Sequence, residues 1–128
     1  MNKKVIESSA LPPPSGTYSA AIQAGNTVYL AGQIGKNPKT GELVTGDVFA
    51  EITQVIENLQ AVAQVAGGNL SNCVKINVYL TSLADFAKVN EVMQLYFRKP
   101  YPARTTVEVS KLPGGARVEM DAIVVLNQ

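Results

Sequence analysis

The amino-acid sequence predicts an α+β fold, in which two helices cover one face of a mixed β-sheet to form a two-layer sandwich. Two segments space their apolar residues as helices do, and the segments around them alternate apolar and polar residues as strands do. Their order along the chain is β-β-α-β-α-β-β, with an optional short strand near Val5 and Ile6. Because 128 residues suffice for one full core but not for two, we expect a single domain over residues 1–128.

The chain begins with an extended segment that leads into a β-hairpin. Three consecutive prolines at positions 12–14 cannot lie inside a helix or a central strand, so regular structure should begin after them. Residues 18–24 and 27–33 are predicted to form antiparallel strands, because the dipeptide Gly25-Asn26 between them suits a tight turn.

The first helix is predicted to begin at Asp47, after a turn-rich loop over residues 37–45. From Asp47 onward the apolar residues advance by three or four positions and therefore share one helix face. They are Val48, Ile52, Val55, Leu59, Val62 and Ala66. The pair Gly67-Gly68 then ends the helix.

A strand, a second helix and two further strands complete the predicted fold. Residues 73–80 alternate in the manner of a strand, and the set expected to be buried is Val74, Ile76, Val78 and Leu80. Ser82 is expected to cap the second helix, which should end before Lys99-Pro100. Its shared apolar face comprises Phe86, Val89, Met93, Tyr96 and Phe97. The last strands are predicted around residues 105–109 and 117–127.

The face of the sheet that the helices leave open indicates self-association. On the last strand the residues expected to face the helices are Val118, Met120, Ala122, Val124 and Leu126. The opposite side of that strand is charged at first but then carries Ile123 and Val125. Because a small protein rarely leaves such residues in water, we expect a closed homo-oligomer. A charged fraction of only 16% is consistent with surface buried between subunits.

The composition argues against several kinds of chemistry. With no histidine, the chain cannot contain a Ser-His-Asp or Cys-His nucleophile system, and an ordinary zinc site is not expected. Neither a GxxxxGK[ST] loop nor a GxGxxG motif is present, so we expect no nucleotide and no other cofactor. A formal net charge of +1, with scattered basic residues, predicts neither nucleic acid nor a membrane as a partner.

We expect the protein to be cytoplasmic. Its N-terminus lacks the basic and then apolar layout of a secretory signal, and no apolar run approaches the ~20 residues that cross a bilayer. Cys73 is the only cysteine, so it cannot form an intramolecular disulfide and is interpreted as a structural thiol.

Several motifs, in matching order and spacing over nearly the whole chain, resemble the YjgF/Rid family of reactive intermediate deaminases. Three segments carry the resemblance in the first half of the chain: Thr17-Tyr18-Ser19, Ala31-Gly32-Gln33-Ile34 and Pro38-Lys39-Thr40-Gly41-Glu42-Leu43-Val44. The diagnostic segment comes later, at Pro102-Ala103-Arg104-Thr105-Thr106-Val107-Glu108-Val109. The motifs Lys111-Leu112-Pro113 and Val118-Glu119-Met120-Asp121-Ala122 follow them. The resemblance implies a chorismate-mutase-like α+β fold assembled as a homotrimer, with clefts between neighbouring subunits. It also implies cofactor-free hydrolysis of 2-iminobutanoate and 2-iminopropanoate to 2-oxo acids and ammonia.

Two charged residues match the family's central site positions. Arg104 matches the substrate-binding arginine, whose planar guanidinium can hold a carboxylate through two parallel hydrogen bonds. Glu119 matches the acidic residue that can orient a water molecule and accept its proton. The structural alternatives are an ion pair of Arg104 with Glu108, and pairing of Glu119 with Arg117 or Lys111.

The resemblance assigns substrate binding to four further residues: Tyr18, Gly32, Asn90 and Thr106. Tyr18 could instead only fill an interface, Gly32 could be a bulge glycine, and Asn90 could face solvent. The chain departs from many family members at Ala31, where they have serine, and at Thr106, where they have cysteine. The Thr106 position is thought to contribute mainly through its backbone.

Two other functions compete with imine hydrolysis. A ligand-sensing trimer would use the same arginine to bind a 2-oxo acid without turning it over, but it has no evident need for Glu119. An endoribonuclease or translation inhibitor, activities also attributed to the family, fits poorly with a chain that lacks histidine and a basic aromatic surface. The sequence also leaves a chaperone role open.

Overall fold

The strands and helices follow one another in the predicted order. A computed structural model describes residues 2–127. Its elements are β1 (Lys4–Ile6), β2 (Ala21–Ala24), β3 (Thr27–Ile34), α1 (Val48–Val65), β4 (Cys73–Leu80), α2 (Phe86–Tyr96), β5 (Ala103–Glu108) and β6 (Val118–Val125). The optional first strand is therefore present, and short 3-10 turns precede β4, α2 and β6.

The described strands form one mixed sheet, which confirms the predicted fold class. Their spatial order is β1-β2-β3-β6-β4-β5. Neighbouring strands are antiparallel except β4 and β5, which run parallel across the α2 crossover. The last strand thus lies in the middle of the sheet, and β5 forms one edge.

Both helices lie on one face of the sheet, as predicted. The side chain of Asp47 caps α1 by accepting a hydrogen bond of 2.8 Å from the backbone N–H of Phe49. Gly67, with a φ of 99°, follows the last turn and lets the chain leave the helix. The buried face of α1 packs against β3 and β6, and α2 packs beside α1.

The core fills the layer between the helices and the sheet. The sheet contributes a buried set of aliphatic residues: Val28, Leu30, Ile76, Val78, Leu80, Val118, Met120, Ala122 and Val124. On β6 the predicted alternation is confirmed, because the residues between the buried ones are only half-buried on the open face. Ile123 and Val125 belong to that half-buried set, as the sequence pattern predicted.

The prediction for the start of β4 was wrong. Val74 was expected in the core, but it is 48% exposed, whereas Cys73 is buried with 7% exposure. The cause is a register shift in the pairing with β6 between Cys73 and Lys75, which reverses the sides of the residues before it. Burial raises the pKa of the Cys73 thiol to about 11, which is consistent with a structural role.

Element boundaries differ from the predictions by a few residues. The first hairpin strand begins at Ala21 rather than at Tyr18, and β5 extends over Ala103–Glu108. The expected cap Ser82 does accept a hydrogen bond from the backbone N–H of Ala84, but it begins a short 3-10 turn and α2 starts only at Phe86. Phe86 itself is 41% exposed, so it does not share the buried face of α2.

Among the described residues, no helix is both long and apolar enough to cross a membrane.

Candidate functional site

Glu119 lies on the open face of the sheet, as the second residue of β6. It pairs with Ile34 of β3 on one side and with Tyr79 of β4 on the other. Its carboxylate is half-buried, and within residues 2–127 no group donates a hydrogen bond to it. Burial, together with the negative charge of Asp121, raises the pKa of Glu119. The position therefore favours a carboxyl group that exchanges protons.

Arg117 does not pair with Glu119 because another carboxylate holds it. Glu51 of α1, only 1% exposed, accepts hydrogen bonds of 2.7 Å from both the backbone N–H and the Nε of Arg117. These two bonds fix the chain immediately before β6. One structural alternative for Glu119 is thereby removed.

Gly32 makes room for the Glu119 side chain. It lies in an irregular stretch of β3, where the register with β6 shifts between Leu30 and Gln33. A β-carbon added at Gly32 would lie 3.0 Å from Cδ of Glu119 and closer still to one of its carboxylate oxygens. Gly32 is thus both a bulge glycine and the residue that admits the carboxylate.

Tyr18 and Glu119 line the same cavity, which has a volume of about 430 Å³. Gly32 and Lys36 also line it, and the proline segment 12–14 closes one side. The Tyr18 hydroxyl accepts a hydrogen bond of 3.4 Å from the backbone N–H of Ser15 and lies 3.3 Å from the Ser15 hydroxyl. The bonds with Ser15 lower the pKa of Tyr18.

Arg104 forms no ion pair within the described chain. One of its Nη1 hydrogens points to Sδ of Met93 at 3.4 Å, and its guanidinium lies 5.2 Å from the centre of the Phe86 ring. The alternative pairing with Glu108 is not formed, because Glu108 instead accepts a hydrogen bond of 2.9 Å from the backbone N–H of Leu83. A thioether and an aromatic ring leave the guanidinium able to bind an anion.

Asn90 and Thr106 lie close to Arg104. Asn90 projects from α2 and lines, with Arg104 and Tyr101, a second cavity of about 440 Å³. Thr106 follows two residues after Arg104 on β5, and its hydroxyl is buried without a hydrogen-bond partner among the described residues. Buried hydroxyl groups normally have hydrogen-bond partners, so the Thr106 hydroxyl is an exception among the described residues.

The predicted site residues therefore fall into two groups on opposite faces of the sheet. We call Tyr18, Gly32 and Glu119 the carboxylate half-site, and Asn90, Arg104 and Thr106 the arginine half-site. The register places Arg104 beside Ile76, whose side chain faces the helices, whereas Glu119 lies beside Tyr79 on the open face. The two half-sites of one chain consequently cannot contact the same small molecule.

Sequence reasoning missed four residues that surround these half-sites. Phe86 and Met93 were assigned to the core, but both also support Arg104. Asp121 lies two residues after Glu119 on β6, and the register of β4 with β6 brings Tyr79 next to Glu119. The alternation of Glu119 and Asp121 along one strand was a signal that could have indicated part of this cluster. In residues 2–127, no group of three or more metal-binding side chains is assembled.

Known proteins resemble this chain over almost its entire length. The family model described as Endoribonuclease L-PSP matches residues 8–126. The 2-iminobutanoate/2-iminopropanoate deaminase of Dermatophagoides farinae is 46% identical, with 98% of each chain covered. The mouse protein of the same name is 42% identical over 96% of this chain and 91% of its own. The crystal structure of RidA from an Antarctic Psychrobacter species superimposes with a TM-score of 0.92 at 46% identity, covering 96% of this chain and 99% of that one. The chain belongs to the YjgF/Rid family.

Proposed function

We propose that the protein hydrolyses small 2-imino acids, such as 2-iminobutanoate and 2-iminopropanoate, to 2-oxo acids and ammonia. The proposal depends on two charged groups, the guanidinium of Arg104 and the carboxylate of Glu119. Neither has an ionic partner within residues 2–127, and each lies at the wall of a cavity. A 2-imino acid needs both groups, because it has a carboxylate to anchor and a carbon that water must attack. The names of the Dermatophagoides farinae and mouse relatives support the same reaction.

The complete site is proposed to form between neighbouring chains of a homotrimer. The carboxylate half-site of one chain would face the arginine half-site of the next, which explains why a single chain keeps them on opposite faces. The open face of the sheet supports such an assembly, since Val5 and Tyr29, each about half exposed, lie in one cross-strand row with Ile123.

Binding would fix the substrate through its carboxylate. The guanidinium of Arg104 presents two parallel N–H groups to the two carboxylate oxygens, which sets the orientation of the neighbouring C=N bond. Tyr18 would pack against the short side chain of the substrate, and its hydroxyl is already held in place by Ser15. The proposed site accordingly favours small 2-imino acids.

Hydrolysis would proceed through proton transfer at Glu119. The oxygen of water adds to the carbon of the protonated imine, the C=N π pair moves to nitrogen, and the carboxylate of Glu119 takes one water proton. Glu119 then returns this proton to the nitrogen of the amino alcohol. The C–N bond breaks and its electron pair leaves with ammonia as the hydroxyl oxygen forms the C=O bond and gives up its proton to Glu119, which passes it to the departing ammonia. One protonated imine and one water thus yield one 2-oxo acid and one ammonium ion.

Two alternative functions are weaker. A trimer that only senses 2-oxo acids would use Arg104, but it gives no reason for a half-buried carboxylate beside Gly32. Cleavage of RNA, the activity in the family model's description, usually relies on a general acid and base that titrate near neutral pH, and this chain has no histidine.

A coupled assay tests the proposal. A threonine dehydratase generates 2-iminobutanoate, and semicarbazide traps the imine and the resulting 2-oxo acid at different rates. The purified protein should suppress the early formation of semicarbazone from the imine in proportion to the protein concentration. Arg104→Ala should lower kcat/KM by about 100-fold or more, because two charge-assisted hydrogen bonds of roughly 1.5–3 kcal/mol each are lost.

The exposed arginine Arg98 provides a matched control for this variant. Arg98→Ala removes the same charge from a position outside both half-sites and should leave suppression unchanged. Circular dichroism and light scattering must show the same folded oligomer for all three proteins. If wild type suppressed nothing with several amino-acid precursors, the ligand-sensing function would be preferred.

A further inference from the structure

Asp121 is a rigidly held carboxylate on the same strand and the same face as Glu119. Its Oδ1 accepts a hydrogen bond of 2.7 Å from Nδ2 of Asn77, and its Oδ2 accepts one of 3.0 Å from the hydroxyl of Tyr79. Both donors lie on β4, directly across from β6. These two donors hold both oxygens of the Asp121 carboxylate in place, so its charge has a fixed position on the open face.

Glu119 differs from Asp121 in that its oxygens are left available. Within the described residues it accepts no hydrogen bond, although Tyr79 lies directly beside it in the sheet. Successive residues on one face of a strand are about 6.6 Å apart, so the fixed charge of Asp121 acts on Glu119 across a short and partly buried gap. The Tyr79 hydroxyl does not relieve this repulsion, because it is committed to Asp121.

The other ionisable groups around Glu119 come from two further segments of the chain. Tyr18 of the proline-rich segment and Lys36, which follows β3, line the cavity that Glu119 enters. Neither forms a hydrogen bond or an ion pair with Glu119 in residues 2–127. Asp121 is therefore the charged group with the most fixed position relative to Glu119.

We propose that Asp121, held in place by Asn77 and Tyr79, is a positioning residue whose nearby negative charge makes Glu119 a stronger proton acceptor and retains the accepted proton on Glu119 until it is returned to the nitrogen of the substrate. The inference rests on the proposed function only for its catalytic consequence, since the coupling between the two carboxyl groups is a property of the protein itself. Burial and this charge together explain the raised pKa of Glu119.

The coupling sets the direction of the pH dependence. Attack by water requires ionised Glu119, so kcat/KM should fall as the pH decreases through the pKa of Glu119. Removing the charge of Asp121 lowers that pKa, which moves the acidic limb of the profile to lower pH. Because Glu119 is then a weaker base, the plateau of kcat/KM at higher pH should also be severalfold lower.

The experiment is a carbon-13 NMR titration of the glutamate side-chain carboxyl groups in the assembled protein. The Glu119 signal is assigned by its loss in Glu119→Gln, and its midpoint is compared between wild type and Asp121→Asn. Asparagine has the shape of aspartate and can still bond to Asn77 and Tyr79, so the fold should persist. If that variant failed to assemble, Asp121→Thr would remove the same charge with a residue that suits a strand.

A matched control is available on the helical side. Glu57 accepts a hydrogen bond of 2.8 Å from the hydroxyl of Tyr96, much as Asp121 does from Tyr79, but it is exposed and remote from both half-sites. We expect Asp121→Asn to move the Glu119 midpoint to lower pH and Glu57→Gln to leave it unchanged. Equal midpoints in wild type and Asp121→Asn would overturn the proposal. Because the titration needs no substrate, a shifted midpoint without imine hydrolysis would reject the proposed function and leave the coupling in place.

Discussion

The two half-sites differ in how firmly their own chain holds the charged group. Glu119 is confined by Gly32 on β3 and by Tyr79 on β4, and the chain just before it is anchored to Glu51. Within residues 2–127, the guanidinium of Arg104 contacts the flexible thioether of Met93 and the face of the exposed Phe86 ring. The chain thus confines the residue that is proposed to exchange a proton, and leaves the guanidinium that is proposed to bind the ligand free to adjust.

This difference suits the role proposed for each group. A proton transfer depends steeply on distance, so a misplaced base loses much of its effect. A guanidinium binds a carboxylate through charge and a planar fork, and small adjustments of a long side chain preserve both.

The largest effect is expected from mixing two inactive variants. Arg104→Ala retains the carboxylate half-site and Glu119→Gln retains the arginine half-site, so each protein alone should be nearly inactive. If the half-sites meet between neighbouring chains, refolding an equal mixture should restore about one quarter of wild-type activity, because that share of randomly formed interfaces contains both intact groups. The trapping assay measures the recovery.

Mixtures of either variant with an inactive double variant carrying both substitutions serve as the control. These mixtures can never place both intact groups at one interface and should stay inactive. An equal mixture of the single variants that gained nothing, despite confirmed exchange of subunits, would mean that the half-sites do not work together.

A smaller effect is expected from Gly32→Ala. The added methyl group would occupy the space of the Glu119 carboxylate and force it to rotate, which should lower kcat/KM about tenfold or more and destabilise the fold by about 1–3 kcal/mol. Gly68→Ala is a matched control, since a β-carbon there would lie 2.9 Å from Oδ1 of Asn72, far from either half-site. It should reduce stability in thermal unfolding without reducing activity.

The interpretation of Gly32→Ala depends on a double-variant comparison. In a Glu119→Ala background the methyl group has space, so the same substitution should cost little stability. A full cost in that background would show that the backbone, rather than the carboxylate, requires glycine at this position.

The sequence predicted the elements well where a local pattern determines them. The start of α1 near Asp47, the apolar face of α1 and the alternation of β6 are each properties of consecutive residues, and the structure confirms all three. Val74 shows the limit of such patterns, because its exposure follows from a register shift between β4 and β6. Two strands distant in sequence must pair before that shift exists.

The candidate site, like the fold, could be predicted from the sequence only in part. Motif resemblance indicated Arg104 and Glu119, but no local pattern says that they lie on opposite faces of the sheet. That separation follows from the parallel pairing of β4 with β5, which turns Arg104 toward Met93. The network of Asp121 was missed for a similar reason, since Asn77 and Tyr79 are more than forty residues away along the chain.

The smallest effect is expected from Thr106→Val, which tests the arginine half-site at the level of one hydroxyl. Valine has nearly the shape of threonine and suits a strand, so β5 should be preserved. The Thr106 hydroxyl is buried without a partner, and its removal should raise the free energy of unfolding by about 0.5–2 kcal/mol. Because β5 is an edge strand with backbone groups still available, substrate binding through the backbone should persist and kcat/KM should stay within about twofold. Chemical denaturation and the trapping assay measure the two quantities. A stable Thr106→Val protein with tenfold lower kcat/KM would instead assign the hydroxyl itself to the substrate, and the arginine half-site would then hold its ligand by fixed polar contacts as well as by charge.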